Sequence, residues 1–303
     1  MRKYKFIAAV MLLFALCACA AEPAVSSGAD LPTRPHITPE GSGIQSQPFS
    51  TESAKAPQST EAVTKTQAAS QELTQPHTQE SASAPSTDNP DNKRIKICLD
   101  AGHQGKANTD KEPLGPGSTE MKTKVATGTQ GRSTGVPEYI VTLQVALKLQ
   151  KILEERGYEV LMIRTTHDVN ISNAERAQIA NEAAVDAFVR LHCNGVDNPE
   201  VNGILSMCQT RNNPWNGDQY EAFKRLGQCI VDEACKTTGA KNMGIQETDA
   251  MTGINWCQVP TALVEMGFMT NPEEDAKLIS DAYQDLLAEG VANGLDVYFG
   301  VSR

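Results

Sequence analysis

Ile95-Lys96-Ile97-Cys98-Leu99-Asp100-Ala101-Gly102-His103 is the stretch on which the reading of this fold turns. Its first five residues form a short apolar run and read as a buried strand. The run then breaks into an acid, two small residues and a histidine, so chemistry begins where the strand stops. The same grammar recurs along the chain. Glu138 to Arg156 reads as a helix, with one apolar stripe of Val141, Val145, Leu149 and Ile152 and a second of Ile140, Leu143 and Leu147. A helix apolar on two sides is deeply packed, and Gly157 stands where a left-handed cap is common. Glu159–Arg164 is the next expected strand. Ser172 is placed to cap a helix running to about Ala184, with Glu175 as its capping-box partner. Strands are expected at Ala187–Leu191, Gly203–Cys208 and Ala262–Met266, and helices at Asp218–Thr238, Pro272–Ile279 and Ala282–Tyr298. This alternation predicts a single α/β domain with a central, largely parallel sheet flanked by helices. In such sheets sites form outside the carboxyl ends of the strands.

The chain around this domain has another character. The 303 residues carry a net charge of −10, which argues against nucleic acid as a partner, since duplex binding needs a basic face. Arg2, Lys3 and Lys5 precede an unbroken apolar run from Phe6 to Leu16. That run is short for a membrane span and suits the core of an export signal. Leu16-Cys17-Ala18-Cys19 resembles a bacterial lipobox, with Cys19 the better placed cysteine. Residues 1–19 are therefore expected to be a lipoprotein signal peptide and Cys19 a lipid anchor in the cell membrane. Cleavage after Ala18 or Ala20, giving a secreted protein, is the competing reading. Either way the chain is expected to work extracytoplasmically. Residues 20–92 are rich in Ser, Thr, Pro and Gln, with Phe49 the one aromatic. Such a segment cannot bury enough apolar surface to offset the entropy of ordering, and is expected to be a disordered tether. The folded domain is expected over 93–303.

Three expected strands end in residues that carry chemistry: the first in His103, the third in His192, the last in Glu265. Glu138 opens the first long helix. Two histidines and a carboxylate are a standard protein set for catalytic zinc, with water in the fourth position, and the metal lowers the pKa of that water to about 7. His103, Glu138 and His192 are the candidate ligands of one zinc ion. A further carboxylate then serves as general base, and Glu265 is the candidate, the water being the nucleophile. No local motif such as HExxH joins these residues; 35 positions separate His103 from Glu138 and 54 separate Glu138 from His192. Glu138 has a second explanation, since a carboxylate in a helix's first turn is favoured by the macrodipole. Glu265 interrupts the apolar run Ala262-Leu263-Val264, and a buried carboxylate needs a partner or a shifted pKa.

These residues, in this order, resemble the zinc-dependent type-3 N-acetylmuramoyl-L-alanine amidases over residues 95–299. Ile97 to His103 looks like that family's opening strand and first zinc ligand, and Pro137-Glu138 like its second. The stretch from Ile163 to Asn181 is similar to its Thr-Arg…Asp…Arg…Ala-Asn segment. Phe188 to Asn194 looks like the strand bearing the third ligand, and Val264 to Asn271 like the segment carrying the catalytic glutamate. The resemblance implies a bacterial cell-wall hydrolase that cuts the amide between N-acetylmuramic acid and L-alanine in peptidoglycan. Two positions depart from the pattern: Arg190 stands where small residues are usual, and Cys193 replaces a common alanine. The long, glycine-rich stretch from Gln104 to Pro137 reads as a wall of a substrate groove or as a surface loop. Cys98, Cys193, Cys208, Cys229, Cys235 and Cys257 allow fifteen pairings, which the sequence does not resolve. A zinc peptidase or deacetylase, a wall-binding lipoprotein with a relic site, and a cysteine peptidase using Cys193 are the rival readings. On a continuing strand Cys193 would face away from His192.

Overall fold

The apolar runs become strands of one six-stranded sheet in the computed structural model, which describes residues 94–302. The expected export segment, Cys17, Cys19 and the tether over 20–92 lie outside the described residues. The strands are β1 (Lys96–Ala101), β4 (Glu159–Met162), β5 (Ala187–Asn194), β6 (Ile204–Cys208), β7 (Asn242–Glu247) and β8 (Thr261–Phe268). Their order across the sheet is β4-β1-β5-β8-β6-β7. β4, β1, β5 and β8 run parallel, while β6 pairs antiparallel with β8 and parallel with β7. The largely parallel α/β domain is thus what forms, with a reversed pair of strands at one edge. β5 and β8 are longer than the sequence suggests, so His192 lies inside its strand and not beyond it, as Glu265 does in β8.

The helices are α1 (Glu138–Glu155), α2 (Asn173–Glu182), α3 (Tyr220–Thr238), α4 (Thr252–Asn255), α5 (Pro272–Leu278) and α6 (Asp281–Phe299). Strand alternation divides their work. Ile97, Leu99, Val189, Leu191, Ala262 and Val264 point to one face, where α1, α3 and α6 cover them with Val145, Leu149, Ile230 and Leu295. The intervening residues point to the other face, which receives the short helices α2 and α4 and, from α3, Tyr220 and Phe223. Burying a Leu, Ile, Val or Phe side chain contributes roughly 1.5–3 kcal/mol, so the three-helix face supplies most of the stability. The thinly covered face leaves the carboxyl ends of β1, β5 and β8 open.

The capping box at α2 forms as read: Ser172 accepts from the Glu175 N–H, and the Glu175 carboxylate accepts from the Ser172 N–H at 2.7 Å. The stretch from Gln104 to Pro137 contains an antiparallel hairpin, β2 (Asn108–Pro113) and β3 (Met121–Val125). It is pinned to the body by Trp215 and Trp256, whose indole N–H groups donate to the carbonyls of Pro116 and Pro113 at 3.0 Å each. Among the described residues no helix is long and apolar enough to cross a membrane.

Candidate metal centre

His103, Glu138 and His192, far apart in sequence, meet above the carboxyl ends of β1 and β5, with one donor atom of each within 4.8 Å of the others. Glu138 Oε1 lies 3.3 Å from His103 Nε2 and 3.1 Å from His192 Nδ1. Local structure fixes each side chain. His103 follows β1 with a positive φ of 59°, a strained conformation for a residue with a Cβ and of a kind that clusters at functional sites. Its Nδ1 is 2.9 Å from the Ala126 carbonyl. Donation there leaves Nε2 with its lone pair toward Glu138. Glu138 is the first residue of α1, and its carboxylate accepts from the Thr129 N–H at 2.8 Å and the Cys193 N–H at 3.0 Å. Gly102 makes the approach of the rings possible, because a Cβ there would stand 2.4 Å from the His192 ring.

Electrostatics explain why such a cluster suits a cation. Burial alone raises the Glu138 carboxyl, but the facing His103 and His192 imidazoles outweigh it and hold it well below the usual carboxylate range. Burial lowers the His192 imidazole, favouring the neutral ring that ligates metals. Two acceptors, the His103 Nε2 lone pair and Glu138 Oε1, cannot rest 3.3 Å apart without a proton or a cation between them. Two imidazoles and one carboxylate so placed are a donor set that suits a divalent cation.

Glu265 is the register partner of His192 across the β5–β8 pair, so the two side chains leave the same face side by side. Its Oε2 is buried and has no hydrogen-bond partner. Burial, and then the charge of Glu138, push its carboxyl up to about 8. A carboxylate with a spare, unpaired oxygen beside a cation site is the arrangement a general base requires. All four residues line one cleft of about 420 Å³, walled on one side by Thr123 of β3 and by Gly128 and Thr129 of the following loop.

The sequence singled out all four of these side chains, and the structure brings them together. What it did not reveal are the backbone groups of Ala126 and Thr129, which come from a loop without periodicity. Cys193 turns away as its place on β5 predicts. Its side chain joins the core beneath α1 and α6, and burial raises its thiol well above the ordinary value. A nucleophilic cysteine needs the thiolate, so Cys193 serves as packing and as a backbone donor. All six cysteines of the described residues are free thiols.

Comparison with known proteins places this geometry in context. Residues 97–297 match the family described as Amidase_3, N-acetylmuramoyl-L-alanine amidase. The chain is 26% identical over 253 residues to N-acetylmuramoyl-L-alanine amidase AmiA of Salmonella typhimurium, covering 72% of this chain and 80% of that protein. It is 27% identical over 203 residues to the protein YqiI of Bacillus subtilis, covering 67% and 84% respectively. Among solved structures, the apo form of the N-acetylmuramyl-L-alanine amidase Ami1 from Mycobacterium abscessus is similar with a TM-score of 0.61 at 25% identity, covering 68% of this chain and 98% of that one.

Proposed function

The chain belongs to the N-acetylmuramoyl-L-alanine amidase family, and from that premise we propose that it hydrolyses the amide bond between N-acetylmuramic acid and L-alanine in peptidoglycan with the help of one zinc ion. The observation that carries this reading is the convergence of His103, Glu138 and His192 on one point, with Glu265 beside it. Two imidazoles and one carboxylate are the donor set of catalytic zinc sites, and they leave a coordination position for water. When bound, the ion supplies a water of lowered pKa and a Lewis acid for the scissile carbonyl.

The protein's own residues do the rest. Glu138, held by the Thr129 and Cys193 N–H groups, brings one negative charge to balance the ion. His103 is oriented by the Ala126 carbonyl and cannot swing away. Glu265 Oε2 takes the proton of the attacking water and delivers it to the departing nitrogen of L-alanine, which leaves as a free amine. Its register pairing with His192 sets that oxygen over the reacting atoms.

Residues 1–19 act, in this reading, as a lipoprotein signal peptide, with Cys19 the acylated residue, and residues 20–92 as a tether for the catalytic domain of 93–303. That arrangement puts the site outside the cytoplasm, facing the wall. Digestion of purified peptidoglycan tests the activity. New L-alanine amino termini should appear with the native protein and vanish on chelation, returning on addition of zinc. A zinc peptidase would free other amino termini and a deacetylase would free amino groups on the sugar. Either result would contradict the proposal.

A further inference from the structure

Arg190 is a buried cation that the chemistry above does not use. It stands two residues before His192 on β5, so both side chains leave the same face about 6.6 Å apart along the strand. Its register partners are Asp100 on β1 and Leu263 on β8. Nε donates to Asp100 Oδ2 at 2.9 Å and Nη2 to Asn173 Oδ1 at 2.8 Å. Asp100 is shared: its other oxygen accepts from Arg176 Nη1 at 2.6 Å. One carboxylate thus faces two guanidinium groups, and a positive charge is left without a counterion. Nη1 of Arg190 has no partner among the described residues, yet no nitrogen of Arg190 is among the sealed, unpartnered polar atoms. Arg190 is only 2% exposed, and what is exposed lines the cleft that holds His192 and Glu265.

The neighbourhood is built around this group. The backbone of α4 lies directly on it, and a Cβ at Gly253 would come within 1.9 Å of Nη1. Asn173, itself fixed by donating to the Lys124 carbonyl at 2.7 Å, holds the guanidinium plane. Thr123, Asn173, Thr252, Gly253 and Leu263 surround Arg190 in this part of the cleft. A buried, half-compensated cation is costly unless an anion completes it. A guanidinium nitrogen left without a partner at a cleft matches a carboxylate oxygen well.

We propose that Arg190 is a specificity-determining residue that pairs with a carboxylate of the stem peptide, on the amino acid that follows L-alanine. The inference rests on the amidase reading. In that substrate the lactyl carboxyl is consumed in the scissile amide, so the carboxylates lie on the peptide side. An extended peptide advances about 3.3–3.6 Å per residue. The distance from His192 to Arg190 along β5 therefore places the first carboxylate beyond the scissile bond one residue past L-alanine.

The test compares two soluble probes whose side-chain γ-carboxyl is capped as a methylamide, N-acetylmuramoyl-L-alanyl-D-glutamate, which carries the α-carboxylate, and N-acetylmuramoyl-L-alanyl-D-isoglutamine, in which it is an amide. The zinc-loaded native protein should favour the free acid by about tenfold or more in kcat/KM, mostly through KM, as the loss of a charge-assisted pair predicts. Arg190→Gln should bring the ratio near one, and Arg190→Lys should keep part of it, with zinc content unchanged in both. The free dipeptides should follow the same order in calorimetric binding to native protein and to Arg190→Gln. A native ratio near one, or a ratio that survives Arg190→Gln, would overturn the assignment of Arg190 and leave the amidase reading intact. Failure to cleave either probe, alongside failure on whole peptidoglycan, would overturn both.

Discussion

Glu265 is the residue with the most specific role. Glu265→Gln should lower turnover on peptidoglycan by at least about 10²–10⁴-fold, the usual worth of general acid–base catalysis, while zinc content stays at that of the native protein. The amide keeps the shape of the carboxyl and removes a group whose charged form burial and Glu138 oppose, so the metal-free variant should unfold at no lower a denaturant concentration than native. Turnover that persists in the folded variant removes Glu265 from the base role. Asp100 makes the contrasting case, a buried acid that is structural. It is fully buried between Arg176 and Arg190. Burial alone raises its carboxyl, but the two guanidinium groups outweigh that and hold it well below the usual range. Asp100→Asn leaves both cations without their anion and should cost about 3–5 kcal/mol of unfolding free energy. The sign of the pH effect follows from the depressed pKa. The stabilisation is complete above the unfolded value of about 3.9 and is lost as pH falls through the folded one. The gap between native and Asp100→Asn should hold from pH 5 to 8 and close on acidification. A gap that widens toward acid would contradict the account. His103, His192 and Glu265 were legible because each ends or interrupts an apolar run. The role of Asp100 was hidden, since its partners sit 76 and 90 positions away.

Among the elements, those with apolar periodicity were readable and those without were not. β1, β5 and β8 are buried on both faces, so their sequences are mostly apolar, broken by the few polar residues that face the site. α1 announces itself by two stripes and Pro137. The hairpin β2–β3 escaped because Asn108–Pro113 is polar and ends in proline, and its order comes from Trp215 and Trp256 far away in the chain. β7 escaped for a related reason: it is an edge strand of Asn242–Glu247, half exposed and with a glycine inside it. α2 carries Asn173 and Arg176 toward the cleft, and its start is set by Ser172. Ser172→Ala removes the oxygen that accepts from the Glu175 N–H and should cost about 1 kcal/mol in chemical denaturation. A loss below a few tenths would show that α2 is held by Arg176 and Asp100 rather than by its cap.

At the scale of the whole molecule, the asymmetry of the two sheet faces explains where the site lies. Three long helices cover one face and make it the stable body. The other face is thinly covered, so strand ends can carry polar groups into a cleft without unfolding the core. The composition of residues 1–92 sets that stretch apart from the domain at the level of sequence. The central claim is that His103, Glu138 and His192 share one zinc ion, and X-ray absorption at the zinc edge of the stoichiometrically loaded protein tests it most directly. The account predicts a first shell of nitrogen and oxygen alone at about 2.0–2.2 Å, with two imidazole signatures, one of them lost in His192→Ala. A sulfur contribution near about 2.3 Å, or a spectrum indifferent to His192→Ala, would contradict it.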